Sequence, residues 1–301
     1  MRKVVLMYHS VAGPDCPAVA GSFPVSLDRF AAQINGIRNR GWDIAPLSRI
    51  HEPVSRDTVY LTSDDGTIDW VRNALPWCER EGVPTETSII TGVWNDPPIW
   101  PIAHTVQVLL ATRTGNGSAG QPRPPLPQPN LSPQQKAFVD KVYHYETDPA
   151  RRYLKGACNI VFDYDQAAEF LGLLDFDCVK LLSQRFAEPE DYNRFALAEV
   201  GVHTVRHKAY DGDAAGYFRH EVYPALATLH RRCQRVCRVF TLPVKPKDGV
   251  SMDPLCRELA AHGLTGMCTH AGEWNQKDFV ITRIDAKDVE RFFGLAEWNV
   301  G

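Results

Sequence analysis

Three absences narrow the field before any motif is read. No apolar run in the 301-residue chain approaches the ~20 residues that a membrane-spanning helix needs, so no transmembrane segment is expected. Neither sign of charge dominates. The 33 Lys and Arg residues against 36 Asp and Glu leave a formal net charge of -3, which gives no footing for nucleic acid or an anionic membrane as partner. The eight cysteines include no Cys-x-x-Cys pair, and Cys233 and Cys237 sit at the spacing of neighbours on one helix, so a cysteine-held structural metal is not expected. The opening residues, Met1 to His9, turn polar too soon for a secretory signal. The eight cysteines therefore read as reduced thiols in a cytoplasmic protein.

What is present is a globular composition. Hydrophobic residues make up 44% of the chain, enough for a sizeable core, and the length suits one large α/β domain or two small ones. Val4 to Met7 forms an apolar run, as a strand covered on both faces would. Leu27, Phe30, Ile34 and Ile37 recur at helical spacing after Ser26, a good N-cap. Asp57 to Ser63 is a second strand, Ile68 to Arg80 a helix, and Thr85 to Thr91 a third strand. Strands resume at Ala198 to Val202, Arg238 to Leu242, Leu264 to Thr269 and Phe279 to Ile284. A long helix over Ala214 to Arg235, broken near Pro224, and helices at Asp253 to His262 and Ala286 to Leu295 complete the alternation. Such alternation predicts a parallel sheet, open or closed. Between the two runs, residues 95–195 read as a helical cap inserted into the α/β body, with a Gly- and Pro-rich loop over 114–133.

Two stretches carry chemistry. Leu61-Thr62-Ser63-Asp64-Asp65-Gly66 puts adjacent carboxylates at the carboxyl end of a strand, where α/β barrels keep their active sites. Their mutual repulsion calls for a cation or a shared proton, although a helix cap beside a solvated carboxylate would look the same. Glu199 to His207 contains His203 and His207, which share one face if that segment is a helical turn. Together the stretches offer one carboxylate ligand, two imidazoles and a spare carboxylate, the set a hydrolytic metal site needs.

These residues resemble a known family, the polysaccharide deacetylases of the NodB-homology type (carbohydrate esterase family four). The likeness runs through "VVLMYHSV", "VYLTSDDG" and "EVGVHTVRH", and more weakly through "FTLPVKPKDG" and the closing strands. It implies a distorted (β/α)7-type barrel over residues 1–301, with the helical insertion between the first and second catalytic motifs. The inserted helices resemble those of O-antigen or capsule-cluster deacetylases. It further implies a divalent metal, zinc first and Co, Ni or Mn as substitutes, held by Asp65, His203 and His207. Asp64 would be the general base, Thr204 would brace the histidine loop, and the backbone N–H of Val244 would donate to the oxyanion.

Two departures stand out. The arginine that grips the base in the family is replaced by Thr241, with Arg206 or Lys245 as conceivable substitutes. The late Leu-x-x-His that supplies the acid is absent, which leaves His9, or else His270, to protonate the leaving amine. His51, His104, His144, His220, His230 and His262 read as surface or helix histidines. Trp94, Trp100 and Trp274 suit either sugar stacking or core packing, and Lys245 either an acidic sugar or solvent. The implied activity is metal-dependent N-deacetylation of an N-acetylated sugar (free, nucleotide- or lipid-linked, or at a polysaccharide end) during surface-polysaccharide assembly. A non-catalytic carbohydrate-binding or scaffold protein on the same fold is one alternative. A hydrolase of a non-sugar amide or imide is another.

Overall fold

The computed structural model describes residues 1–14, 16, 24–114, 126–172, 176–244, 246, 249–269 and 278–296. Expectations that fall on Lys245, His270, Trp274 and residues 115–125 lie outside the described residues.

Six strands follow one another around the sheet in chain order: β1 (Lys3–Tyr8), β2 (Thr58–Ser63), β3 (Thr85–Ile89), β4 (Ala198–Val202), β5 (Val236–Thr241) and β6 (Gly266–Cys268). All pair in parallel. The seventh position is filled by two short pieces. β7 (Val280–Ile281) pairs with β6, and β8 (Ile284–Asp285) pairs with β1. Only Thr282 and Arg283 separate them, so one continuous segment bonds to both ends of the sheet and closes it. The expected (β/α)-type barrel of about seven strands is therefore the observed architecture, with its last stave split.

Side chains alternate along each strand, and in β1 both faces are buried, which is why Val4 to Met7 reads as an unbroken apolar run. Outward residues such as Leu6, Leu61, Ile89, Val202 and Phe240 meet the helix layer. That layer includes α1 (Leu27–Asn39), which is capped by Ser26 and buries Phe30, Ile34 and Ile37. It continues with α2 (Leu75–Glu81), which buries Leu75, Trp77 and Cys78. Inward residues Val5, Tyr60, Val239, Cys268 and Ile281 form a separate apolar cluster with Leu47 and Ile50. The expected long helix after β4 runs as Ala214–Tyr217, a wide turn over Phe218–Val222, and Tyr223–Arg232. Pro224 stands in the first turn of the last piece, immediately after the wide turn that interrupts the regular hydrogen-bond ladder.

Between β3 and β4 the described residues carry helices α3 (Ile102–Thr114), α4 (Pro133–Val142), α5 (Pro149–Gly156), α6 (Tyr164–Leu171) and α7 (Phe176–Ser183). They bury their own cluster, including Val106, Leu109, Leu154, Cys158 and Leu182. Phe186, after α7, packs on Ile90 and Val93 and forms an antiparallel bridge with Thr67. No helix among the described residues is long and apolar enough to cross a membrane.

Above the apolar interior the barrel becomes polar. Glu86 lies fully buried beside Ser88, whose hydroxyl is 2.8 Å from Oε1 and also donates to Thr241 Oγ1 at 2.6 Å. Gly201 makes this possible, because a Cβ there would stand 2.1 Å from Glu86 Oε1. Burial pushes the Glu86 carboxyl well above its ordinary value of 4.5. A carboxyl raised by folding contributes most below its unfolded value. The contribution is lost as pH rises towards the folded value, at up to ~1.4 kcal/mol per pH unit. Glu86→Gln keeps a hydrogen-bonding group of the same shape beside Ser88 and removes the titration. Urea denaturation should find this variant about as stable as the parent near pH 4 and progressively more stable than it by pH 8. A difference that does not change with pH would show that Glu86 is not held neutral.

Candidate metal centre and active site

Register brings the two motifs to one mouth of the barrel. Tyr8 pairs with Ser63, so His9 emerges beside Asp64, and the Asp64 N–H donates to the Tyr8 carbonyl at 3.0 Å. Ile89 pairs with Val202, and the His203 N–H donates to the Ile89 carbonyl at 3.0 Å. In a parallel barrel all these residues end at the same face, the carboxyl one, where loops can converge on a ligand.

The adjacent carboxylates take different surroundings. Asp64 turns into the barrel and meets Arg283 in a two-pronged ion pair, Nη1 to Oδ1 and Nη2 to Oδ2, both at 2.7 Å. Arg283 also donates to Thr62 Oγ1 and to the Thr269 carbonyl, each at 3.0 Å. Both partners are almost wholly shielded from solvent. Burial alone would raise the Asp64 carboxyl. The charge and hydrogen bonds of Arg283 outweigh it and hold the group well below the usual carboxylate range. The arginine missing at Thr241 is therefore supplied by Arg283, from the split stave. Arg206 does not fill that place. Its backbone N–H and Nε bind the Glu221 carboxylate at 3.0 and 2.5 Å. Thr241 itself accepts from Ser88, and its carbonyl lies 3.0 Å from His203 Nδ1.

Asp65 turns the other way. Its φ of 75° lies in the left-handed region, which among non-glycine residues Asp and Asn enter most readily and which turns its side chain away from that of Asp64. Its Oδ1 lies 3.3 Å from His203 Nε2 and 3.4 Å from His207 Nε2. One donor atom from each of Asp65, His203 and His207 lies within 4.8 Å of the others. The His203 to His207 segment is not the helical turn expected. Thr204 and His207 are left-handed (φ 69° and 59°), and the Thr204 hydroxyl accepts from the His207 N–H at 2.9 Å. The N–H groups of Thr91 and Gly92 clamp the turn through the carbonyls of Thr204 and Val205 at 3.1 and 2.9 Å. Gly92 is required there, since a Cβ would fall 2.3 Å from the Val205 oxygen.

The donor set fits a divalent cation. A carbonyl only accepts, so His203 Nδ1 must carry the proton it offers to Thr241. In a neutral ring that leaves the Nε2 lone pair facing a carboxylate oxygen. Asp65 Oδ1 is itself buried without a hydrogen-bond partner. Burial opposes charge on His203, yet Asp65 and Asp64 raise its pKa overall, so the local field favours positive charge at that point.

A cleft of about 360 Å³ opens over this centre, lined among others by His9, Asp65, His207 and Val244. His9 Nε2 lies 3.9 Å from Asp64 Oδ2, and its side chain is 36% exposed. Tyr143 and Tyr145, from the turn that follows α4, face the same cleft. Of the tryptophans considered for sugar stacking, Trp94 packs inward with its indole N–H on the Ala187 carbonyl, and Trp100 packs among the inserted helices. His104, expected to be a surface or helix histidine, lies on helix α3 but not at the surface: it is 2% exposed, with Nε2 3.2 Å from Asp65 Oδ2. Burial pushes its ring down to about 4 in spite of that carboxylate, so it is neutral at pH 7.

No protein-family model matches the sequence, and no curated protein is significantly similar to it. Solved structures do match. The Streptococcus pyogenes deacetylase PplD, in complex with acetate, aligns over 99% of each chain at 15% identity and a TM-score of 0.52. A de-N-acetylase from Aggregatibacter actinomycetemcomitans aligns over 97% of this chain and 100% of its own, at 14% identity and 0.51. A polysaccharide deacetylase from Bacillus cereus aligns over 98% of this chain and 68% of its own, at 13% identity and 0.51. The chain has the fold of the polysaccharide deacetylases.

Removing Arg283 would leave the Asp64 charge buried and uncompensated. Arg283→Met should lower stability at pH 7 by about 3–5 kcal/mol in urea denaturation. Asp64→Asn in the same chain should recover much of that loss. Additive effects would show that the two groups are not coupled.

Proposed function

We propose that residues 1–301 form one catalytic unit, a metal-dependent hydrolase that removes the N-acetyl group from an N-acetylated sugar in surface-polysaccharide assembly, in the cytoplasm. The observation that carries this reading is the convergence of Asp65, His203 and His207 beside an arginine-clamped Asp64, at the open end of a deacetylase-type barrel. The eight free thiols, seven of them buried, accord with a reducing compartment.

Asp65, His203 and His207 would hold the ion, and two nitrogens with one oxygen suit zinc. When bound, such an ion lowers the pKa of water and polarises an amide carbonyl. Asp64, ionised at neutral pH, takes the proton of the attacking water, and Arg283 fixes which lone pairs face it. The backbone N–H of Val244, at the cleft wall, donates to the oxygen on which charge develops. His9 emerges next to Asp64 with its ring in the cleft, and it delivers a proton to the departing amine. Tyr143 and Tyr145 offer flat apolar surfaces of the kind on which a sugar ring lies. A binding-only protein is the alternative that the missing arginine and the absent late histidine suggest. The Arg283 clamp on Asp64 answers the first of these and favours catalysis.

The test is acetate release from a panel of free, nucleotide-linked and polymeric N-acetylhexosamines, with imides and formamides alongside. Zinc-supplied protein should release acetate from at least one sugar, and chelation should abolish it. Asp64→Asn should cut the rate by ~10²–10⁴-fold while zinc uptake persists. His9→Gln should lower kcat more than His270→Gln does. Turnover confined to the imides or formamides, or undiminished in Asp64→Asn, would defeat the reading.

A further inference from the structure

His104 is a buried titratable group that the mechanism above does not use, and its hydrogen bonds fix its orientation. Arg185, itself 4% exposed, directs Nε to His104 Nδ1 at 3.1 Å and Nη2 to Gln107 Oε1 at 2.6 Å. A guanidinium only donates, so Nδ1 must present its lone pair. The single proton of the neutral ring then sits on Nε2, which faces Asp65 Oδ2 at 3.2 Å. The direction of donation runs from Arg185 through His104 to one oxygen of Asp65. The other oxygen, Oδ1, is the one that faces His203 and His207 and lacks a hydrogen-bond partner.

We propose that His104 is a positioning residue of the metal centre: it occupies Oδ2 of Asp65, turns Oδ1 alone toward the ion, and is barred from ligation by the proton that Arg185 keeps on Nε2. The inference rests on the proposed metal reading and adds to it a working role for the inserted helices. The geometry of the segment supports that role. His104 and Gln107 share one face of α3. The residues that follow α7 are stapled to the carboxylate turn, with Ile68 N–H on the Arg185 carbonyl at 2.7 Å and Ala187 N–H on the Gly66 carbonyl at 3.1 Å. Phe186 packs edge-on against the His104 ring at 4.8 Å and holds it in plane. Both ends of the insertion thus grip the same four residues from which Asp65 projects. An outer partner of this kind fixes a ligand's rotamer and lone-pair direction, so its loss weakens metal binding without removing a ligand.

The experiment uses the full-length chain stripped of metal, with zinc affinity read by competition with a chromophoric chelator. His104→Leu should bind zinc ~10–100-fold more weakly than the parent. His104→Gln, whose amide can donate from nearly the same place, should recover most of that loss. Thermal melting of the metal-free proteins checks that each variant is folded. ¹⁵N NMR of the unmodified chain needs no variant, and it should show the His104 proton on Nε2 with Nδ1 bare. His203→Ala is the reference for a lost ligand. If it abolishes uptake while His104→Leu binds as tightly as the parent, the positioning role is overturned and the metal site stands. A proton found on Nδ1 would also overturn it. If the parent itself takes up no zinc, the metal reading falls and this inference falls with it.

Discussion

Two carboxylates on consecutive buried residues cannot share one environment, because each raises the other's cost of ionisation. The site resolves this by sending them in opposite directions. Asp64 continues the strand's alternation into the barrel, where Arg283 meets it with a matched pair of donors. Asp65 bends out through a left-handed backbone to the histidines. Each carboxylate therefore stays ionised for a different reason. Asp64 has a permanent cation at 2.7 Å. Asp65 has the neutral N–H of His104 on one oxygen and a cation-favouring nook on the other. A carboxylate clamped by a guanidinium and one turned towards two imidazoles can then be neighbours.

Backbone strain marks the same places. The non-glycine residues with positive φ among those described are Asp65, Thr204 and His207, all within the two motif loops. Left-handed geometry at a non-glycine residue costs of order 1 kcal/mol or more, and it persists only where surrounding bonds over-determine it. Those bonds are visible. Thr91 and Gly92 hold the histidine turn from the β3 side, and Glu221 holds it through the N–H groups of Val205 and Arg206. The turn brings the His203 and His207 rings together, with centroids 4.9 Å apart.

Much of this was legible in the sequence, and for a local reason. β-branched and apolar runs name strands, glycines name the turns after them, and a motif at a strand's carboxyl end falls on the barrel mouth whatever the register. Asp64, Asp65, His203 and His207 could thus be singled out one by one. Arg283 could not. It reaches Asp64 across 219 residues because a split final stave closes the sheet, and nothing in Ile281-Thr282-Arg283-Ile284 announces that role. His104 was missed for a related reason: on a helix of low amphipathic contrast it looks like any other helical histidine. The one available signal was Arg185, a cation in the short run before Phe186 and Ala187, and its partner is 81 residues away. Sequence spacing speaks for residues that share an element and is silent about those that meet through topology.

The inserted helices deserve to be weighed on the same terms. A cap that merely covered the mouth would touch the barrel through apolar contacts, as Phe186 does on Ile90 and Val93. This one also reaches in with polar groups. His104 meets the Asp65 carboxylate, Tyr164 lies under the Arg206 guanidinium at 5.3 Å, and Tyr143 and Tyr145 wall the cleft. Desolvated polar contacts are costly unless their partners are held in place, so each couples the cap's position to the geometry of the centre. Displacing α3 would draw His104 away from both Asp65 and Arg185. The cap is thus joined to the Asp65, His203 and His207 cluster by polar contacts as well as apolar ones.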